Sequence, residues 1–351
     1  MSPQGRPQPL MPFRMAARQR RQKQGVIPFA ASSTASPLVL QQVGLLNGLI
    51  IQVRGNATYS AGGVFPDLGP HNIISRLRVT INLGSANLFD TTGYGAFLIS
   101  SYIERSFRTD RAGAGNLVPD PDVFDCDSTG GGVKPVVLTY FVPIALNNGV
   151  DFQMGLLNLQ APELRANVEI SWGAVTDIQS TCTAFVGNAH VYAVYYEIPD
   201  PTLVQLPKPM LVRTIEESVP VTNLGDQVYQ IPRLGTVLQM AQYLRVNGAR
   251  NNNATETEIR INRSDVLYKM ERQFTKVIQR LSSGVEWPTG VLWHDFWHAM
   301  GMVSAGDFRD TLDTEAISTI EFITRLDSSV VLGANNNNLN FVRRVVQPFE
   351  Y

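Results

Sequence analysis

Apolar and polar positions alternate along much of this chain. Leu77, Val79, Ile81 and Leu83 alternate with Arg78, Thr80 and Asn82, the period of two that turns one strand face to a core and the other to water. Val168, Ile170 and Trp172 alternate in the same way with Asn167, Glu169 and Ser171. Val136–Val142 and Val191–Tyr196 are dense in β-branched and aromatic residues, as suits strands inside a sandwich. One stretch keeps a different period. Tyr94, Phe97, Leu98 and Tyr102 fall at helical spacing and predict a helix over Thr92–Arg105, with Thr91 or Thr92 as N-cap.

Pro199, Pro201, Pro207 and Pro209 then crowd one short segment, remove backbone donors and predict a linker. Beyond it the pattern restarts. Strands are predicted at Leu211–Val221, Val228–Ile231, Thr236–Val246 and Glu258–Asn262, followed by a second helix. Ser264 is its expected cap, Leu267, Met270, Phe274, Val277, Ile278 and Leu281 its expected buried stripe, and Gly284 its C-terminal cap. Val291–His298, Ile317–Leu326 and Phe341–Phe349 read as closing strands. Both halves therefore run strands, one helix, then three strands. The pairs Thr139/Trp293, Arg165/Ser318 and Val191/Phe341 stand about 150 residues apart, too long a period for a solenoid. The expectation is an all-β chain of two similar sandwiches, each eight-stranded with an inserted helix. Asn251–Asn253 and Asn335–Asn338 become loop tips, and the long Arg108–Pro135 excursion suggests contact with something.

Composition agrees. Charged residues make up 17% of 351, against roughly 25% in ordinary soluble proteins, while 28 Gly and 21 Pro disfavour bundles and coiled coils. A sparsely charged exterior also suits one covered by other subunits. Cys126 and Cys182 are too few for a disulfide framework or a four-thiolate zinc site. Leu38–Val53, interrupted by Gln41, Gln42, Asn47 and Gln52, is too short and polar to span a bilayer. With no apolar signal segment, the sequons at Asn56, Asn253 and Asn262 read as chance, and a reducing compartment is expected.

Charge is distributed unevenly. Arg6, Arg14, Arg18, Arg20, Arg21 and Lys23 precede the first acid, Asp67, leaving the remainder at −7 against −1 overall. Pro, Gln and Arg dominate residues 1–25, a composition that builds no core of its own. As a helix, residues 13–23 would gather Arg14, Arg18 and Arg21 within about 60°. Such an arm is either a solvated tail or a docking segment for an anionic surface, lipid or nucleic acid. Arg14, Arg18, Arg20, Arg21 and Lys23 are its candidate contact residues.

The runs FPDLGPHNIISRLRVTI (Phe65–Ile81), LTYFVPIAL (Leu138–Leu146), PELRANVEISW (Pro162–Trp172) and YAVYYEIP (Tyr192–Pro199) resemble tectivirus-type double jelly-roll major capsid proteins, most clearly over residues 37–200. That resemblance implies a bacteriophage-like icosahedral virion enclosing a membrane, assembled in the host cytoplasm. It implies homotrimers that tile as pseudo-hexamers beside neighbouring capsomers, with vertex and minor capsid proteins, and an N-terminal segment running toward lipid. The expected division is a basic arm at 1–36, a first jelly roll at 37–198, a linker at 199–210 and a second roll at 211–351.

Catalytic chemistry is sparse. His294 and His298 flank Asp295, but strand spacing would hold them about 13 Å apart, and no third ligand is indicated. His71 and His190 lack a nucleophile motif. Asp120, Asp122, Asp125 and Asp127 are the best hard-cation candidate; they lack EF-hand spacing and read first as a solvated acidic loop, with a calcium-like ion at a subunit boundary as the alternative. Glu216–Glu217 and Glu256/Glu258 lack an aromatic sugar platform. Gly130–Gly132 is not followed by the Lys-Ser/Thr of a phosphate loop. A structural shell protein, without cofactor or enzymatic activity, is the favoured reading. A glycan-binding or glycan-processing jelly-roll protein is the alternative. Sequence-specific nucleic-acid binding is disfavoured by the acidic body and the absence of recognition motifs.

Overall fold

The computed structural model describes residues 11–82, 86–104, 122, 124–126, 130–148, 152–198, 204–205, 210–283, 287–297, 311–333 and 336–348. Its principal elements form two matching series. The first is β1 (Gln19–Pro28), β2 (Leu38–Val39), β3 (Leu45–Tyr59), β4 (Ile74–Ile81), β5 (Ala86–Thr91), α1 (Gly93–Glu104), β6 (Gly132–Pro143), β7 (Ala166–Trp172) and β8 (Cys182–Tyr196). The second is β9 (Met210–Pro220), β10 (Asp226–Gln230), β11 (Thr236–Val246), β12 (Ala254–Ile261), β13 (Asp265–Glu271), α2 (Arg272–Ser283), β14 (Val291–Asp295), β15 (Ile320–Leu326) and β16 (Asn338–Pro348).

Pairing repeats as the order does. In the first series the sheets run β1-β8-β3-β6 and β2-β7-β4-β5. In the second they run β9-β16-β11-β14 and β10-β15-β12-β13. First strand beside eighth, with the helix between fifth and sixth, is a jelly roll written twice. The two rolls share one sheet, because β5 lies parallel to β9 with Phe89 opposite Thr214 and Asp90 opposite Ile215.

Alternation explains the cores. Along β3, Leu49, Ile51, Val53 and Ala57 are buried while Gln52 and Arg54 face outward. Val136, Leu138, Tyr140 and Val142 of β6 and Val168, Ile170 and Trp172 of β7 close on them. The second roll centres on Val237, Met240, Ile259, Phe322 and Phe341.

Two segments depart from their expected form. The segment expected as a basic arm is not a helix over 13–23. Only Phe13–Ala16 is helical, and β1 pairs antiparallel with β8 as the first strand of the first roll. It builds no core but borrows one. Ile27 is buried, the Gln24 Oε1 atom accepts the Gln41 N–H at 2.7 Å, and Phe13 packs edge-on against Tyr196 at 5.4 Å. Within the proline-rich linker, Val204–Gln205 pairs parallel with Met11–Pro12.

The second departure is α2, which begins at Arg272 rather than Ser264. Asn262 and Arg263 both adopt left-handed conformations, φ 49° and 63°, and turn the chain back so that Asp265–Glu271 pairs with β12. Leu267 therefore sits on a strand, exposed, and the apolar stripe of the helix proper faces outward. The first helix matches its expected span, with Gly95 N–H donating to the Thr92 cap at 3.1 Å.

Candidate assembly surfaces

The joint between the rolls is built from α1 and the outer face of β9-β16-β11-β14. Glu216 on β9 accepts the Thr92 N–H at 2.6 Å, the Thr92 hydroxyl at 2.8 Å and the Tyr243 hydroxyl at 2.5 Å. The Tyr243 hydroxyl is buried beside that carboxylate, and both effects hold its proton on well above the ordinary tyrosine range. A Cβ at Gly95 would lie 2.4 Å from Glu216 Oε2, so any larger residue there would displace this carboxylate. Tyr102 stacks on Trp293 at 4.3 Å, Trp293 stacks on Trp287 at 4.7 Å, and the Tyr102 hydroxyl donates to Asp295. Arg250 lies 4.8 Å over the Tyr94 ring and pairs with Asp67 at 3.2 Å. Ala241, Tyr243, Val291, Trp293 and Val342 consequently belong to the same apolar cluster as the first roll's core.

α2 occupies the same place in the second roll with its faces reversed. Its inner side is polar: Gln279 donates to the Trp293 carbonyl at 2.9 Å, and Lys276 donates to the Pro288 carbonyl at 3.2 Å. Its outer side carries Phe274, Val277 and Leu281 at 64%, 53% and 68% exposure.

The basic candidates are separated by the structure. Arg20 pairs with Glu197 at 2.8 Å, both about half exposed, while Arg18, Arg21 and Lys23 are exposed along the start of β1. The Arg14 side chain lies outside the described residues. So do Asp120, Asp127, His298, Gly284, Pro199, Pro201, Pro207, Pro209 and most of Arg108–Pro135. Asp125 is on a short strand, Phe124–Cys126, that extends the sheet beyond β6. Asp122 is exposed, and its carbonyl accepts from Gln52 at 2.7 Å. Among the described residues no cluster of three metal-ligating side chains forms.

The remaining candidates have structural partners. Glu217 accepts from Arg343 at 2.7 Å and from the Tyr229 hydroxyl; Glu256 meets Arg325 at 2.9 Å; Glu258 meets Arg260 at 2.6 Å. His71 stacks on Phe97 at 4.1 Å and meets the Tyr140 hydroxyl at 3.1 Å. His294 is enclosed by Tyr268 and Phe322. Burial pushes both imidazoles down to about 3, Arg250 adding to the effect at His71, so both are neutral at neutral pH. An open depression of about 540 Å³ outside β2-β7-β4-β5 is lined by Arg78, Glu169, Asn87 and Asn167, without an aromatic platform.

No family model and no curated protein matches the chain by sequence. Its architecture does match solved structures. The crystal structure of the STIV MCP superposes with a TM-score of 0.68 at 14% identity, covering 94% of this chain and 96% of that one. The PBCV-1 virus capsid gives 0.63 at 10% identity, covering 94% and 93%. The major capsid protein P2 from bacteriophage PM2 gives 0.54 at 11%, covering 95% and 98%. The fold is that of the double jelly-roll major capsid proteins.

Proposed function

We propose that this chain is the major capsid protein of an icosahedral virion, forming pseudo-hexameric trimers that tile a shell around an internal membrane. The observation that carries the reading is the repeated jelly roll joined through one shared sheet, matched over nearly the full length of several viral capsid proteins. The proposed work is mechanical. Two rolls of one design give a subunit two similar sides, so that three copies present a near-hexagonal outline and many modest interfaces hold the container shut. Engagement of Glu217, Glu256 and Glu258 in ion pairs supports a non-enzymatic role. The proposed partners are further copies of this chain, neighbouring capsomers, and vertex and minor capsid proteins.

The cationic start of the chain, from Arg14 through Lys23, is assigned to the lipid-facing side. Arg18 and Arg21 are the exposed residues best placed for anionic headgroups, each worth about 1 kcal/mol near such a surface. Electron microscopy of the purified full chain, with and without anionic liposomes, tests the reading. Hexagonal capsomers that bind the liposomes, with binding reduced by Arg18→Glu and Arg21→Glu, are expected. Structureless monomers indifferent to lipid would overturn it.

A further inference from the structure

We infer that α2 of one copy docks on the outer face of β1-β8-β3-β6 in the next copy, repeating between chains the joint that α1 makes within the chain. The inference rests on the trimer reading and names the surfaces that would close it.

The two helices are twelve residues each and fall at the same place in the strand order of their rolls. At the eighth position, Ser100 accepts the Phe141 N–H of β6 at 2.9 Å and Gln279 donates to the Trp293 carbonyl of β14. That shared anchor makes Phe141 and Trp293 counterparts, and fixes which helical positions look outward. In α1 the third and tenth positions, Gly95 and Tyr102, meet Glu216 and Trp293 of the second roll. In α2 the third, sixth and tenth positions are the exposed Phe274, Val277 and Leu281. An apolar stripe outside and glutamine inside reverses the usual helix, and such a stripe marks an interaction surface.

The receiving face is uncovered too. Trp293, Ala241 and Val342, one cross-strand row of the second roll's sheet, are buried in the first roll's apolar cluster, Trp293 against Tyr102 of α1. The counterpart row in the first roll, Phe141, Ile50, Tyr192 and Lys23, runs from half-buried to exposed. Each copy thus carries one satisfied joint and both halves of an unsatisfied one, which selects a second copy of this chain as occupant. The strand edges agree. β5 is parallel to β9 within the chain, while β13 and β1, their counterparts, end their sheets. The contact is head-to-tail, and head-to-tail contacts close into rings or run on as filaments; closure at three copies is the ring that the trimer reading requires.

The test combines two variants of the full chain. Replacing Phe274, Val277 and Leu281 together with serine should raise the half-association concentration about 100-fold or more, with an unchanged circular-dichroism melt at dilutions where both proteins are monomeric, because all three are exposed in the single chain. A Phe141→Cys, Leu281→Cys double variant treated with a short bis-maleimide should give covalent trimers, while each single variant gives monomers, Cys126 and Cys182 being buried. A trimer that survives the serine changes, or cross-links through Leu281→Cys alone, would overturn the docking inference and leave the trimer reading standing. A wild-type chain that stays monomeric at every concentration would overturn both.

Discussion

Two helices in this molecule occupy the same position in the same fold and differ in what lies beyond them. α1 is covered, and its outward positions are a glycine and a tyrosine fitted against Glu216 and Trp293. α2 is open, and its outward positions are Phe, Val and Leu. Identical topology does not fix which face of a helix is apolar. The neighbour does, and when none is within the chain the sequence still records that one is expected.

The largest break in the symmetry is expected at the closed joint. Trp293→Ala removes the ring on which both Tyr102 and Trp287 stack and should destabilise the isolated chain by roughly 3–5 kcal/mol in denaturant titration. Leu281→Ala, at the open counterpart of Tyr102, should stay within about 0.5 kcal/mol of the parent under the same dilution.

Acid should act on both rolls alike. His71 and His294 are held neutral to about 3 when folded but take up a proton near 6.5 when unfolded. Their contribution is complete above about 6.5 and is lost as pH falls from there toward 3, amounting to a few kcal/mol at the acid end. A His71→Phe, His294→Leu double variant should flatten the decline of Tm over that window. An unchanged slope would show that neither imidazole is the acid-sensitive group.

Smaller effects are expected at the helix start. Glu216→Ala leaves the Thr92 N–H and the Tyr243 hydroxyl without their acceptor, at a cost of about 1–3 kcal/mol by thermal melt. If that carboxylate is what orients the rolls, the same variant lowers trimer yield although α2 is untouched.

Much of this was legible in the sequence. Alternation at Leu77–Ile81 and Val168–Trp172, and the helical period of Tyr94–Tyr102, correspond to β4, β7 and α1. β1 was not, because Gln, Arg and Lys give it the composition of a tail. Its strand form comes from β8, which supplies the backbone partners, and from Ile27 alone reaching deep into the core. The start of α2 was obscured because Leu267 and Met270 continue the helical spacing of Phe274, whereas the left-handed Asn262 and Arg263 dictate a hairpin. Periodicity showed the stripe correctly and assigned it to the wrong side, since a stripe facing a neighbouring chain has the same period as one facing a core. Glu216 gave no signal of its own; Gly95, a residue without a side chain amid a helix of large ones, was the trace of its approach.

In the proposed trimer, copies of this chain complete one another. Native mass spectrometry of the purified full chain at micromolar concentration addresses that most directly. A dominant species at three times 38.7 kDa is predicted. A species of 38.7 kDa alone, with Phe274, Val277 and Leu281 still open to water, would contradict it.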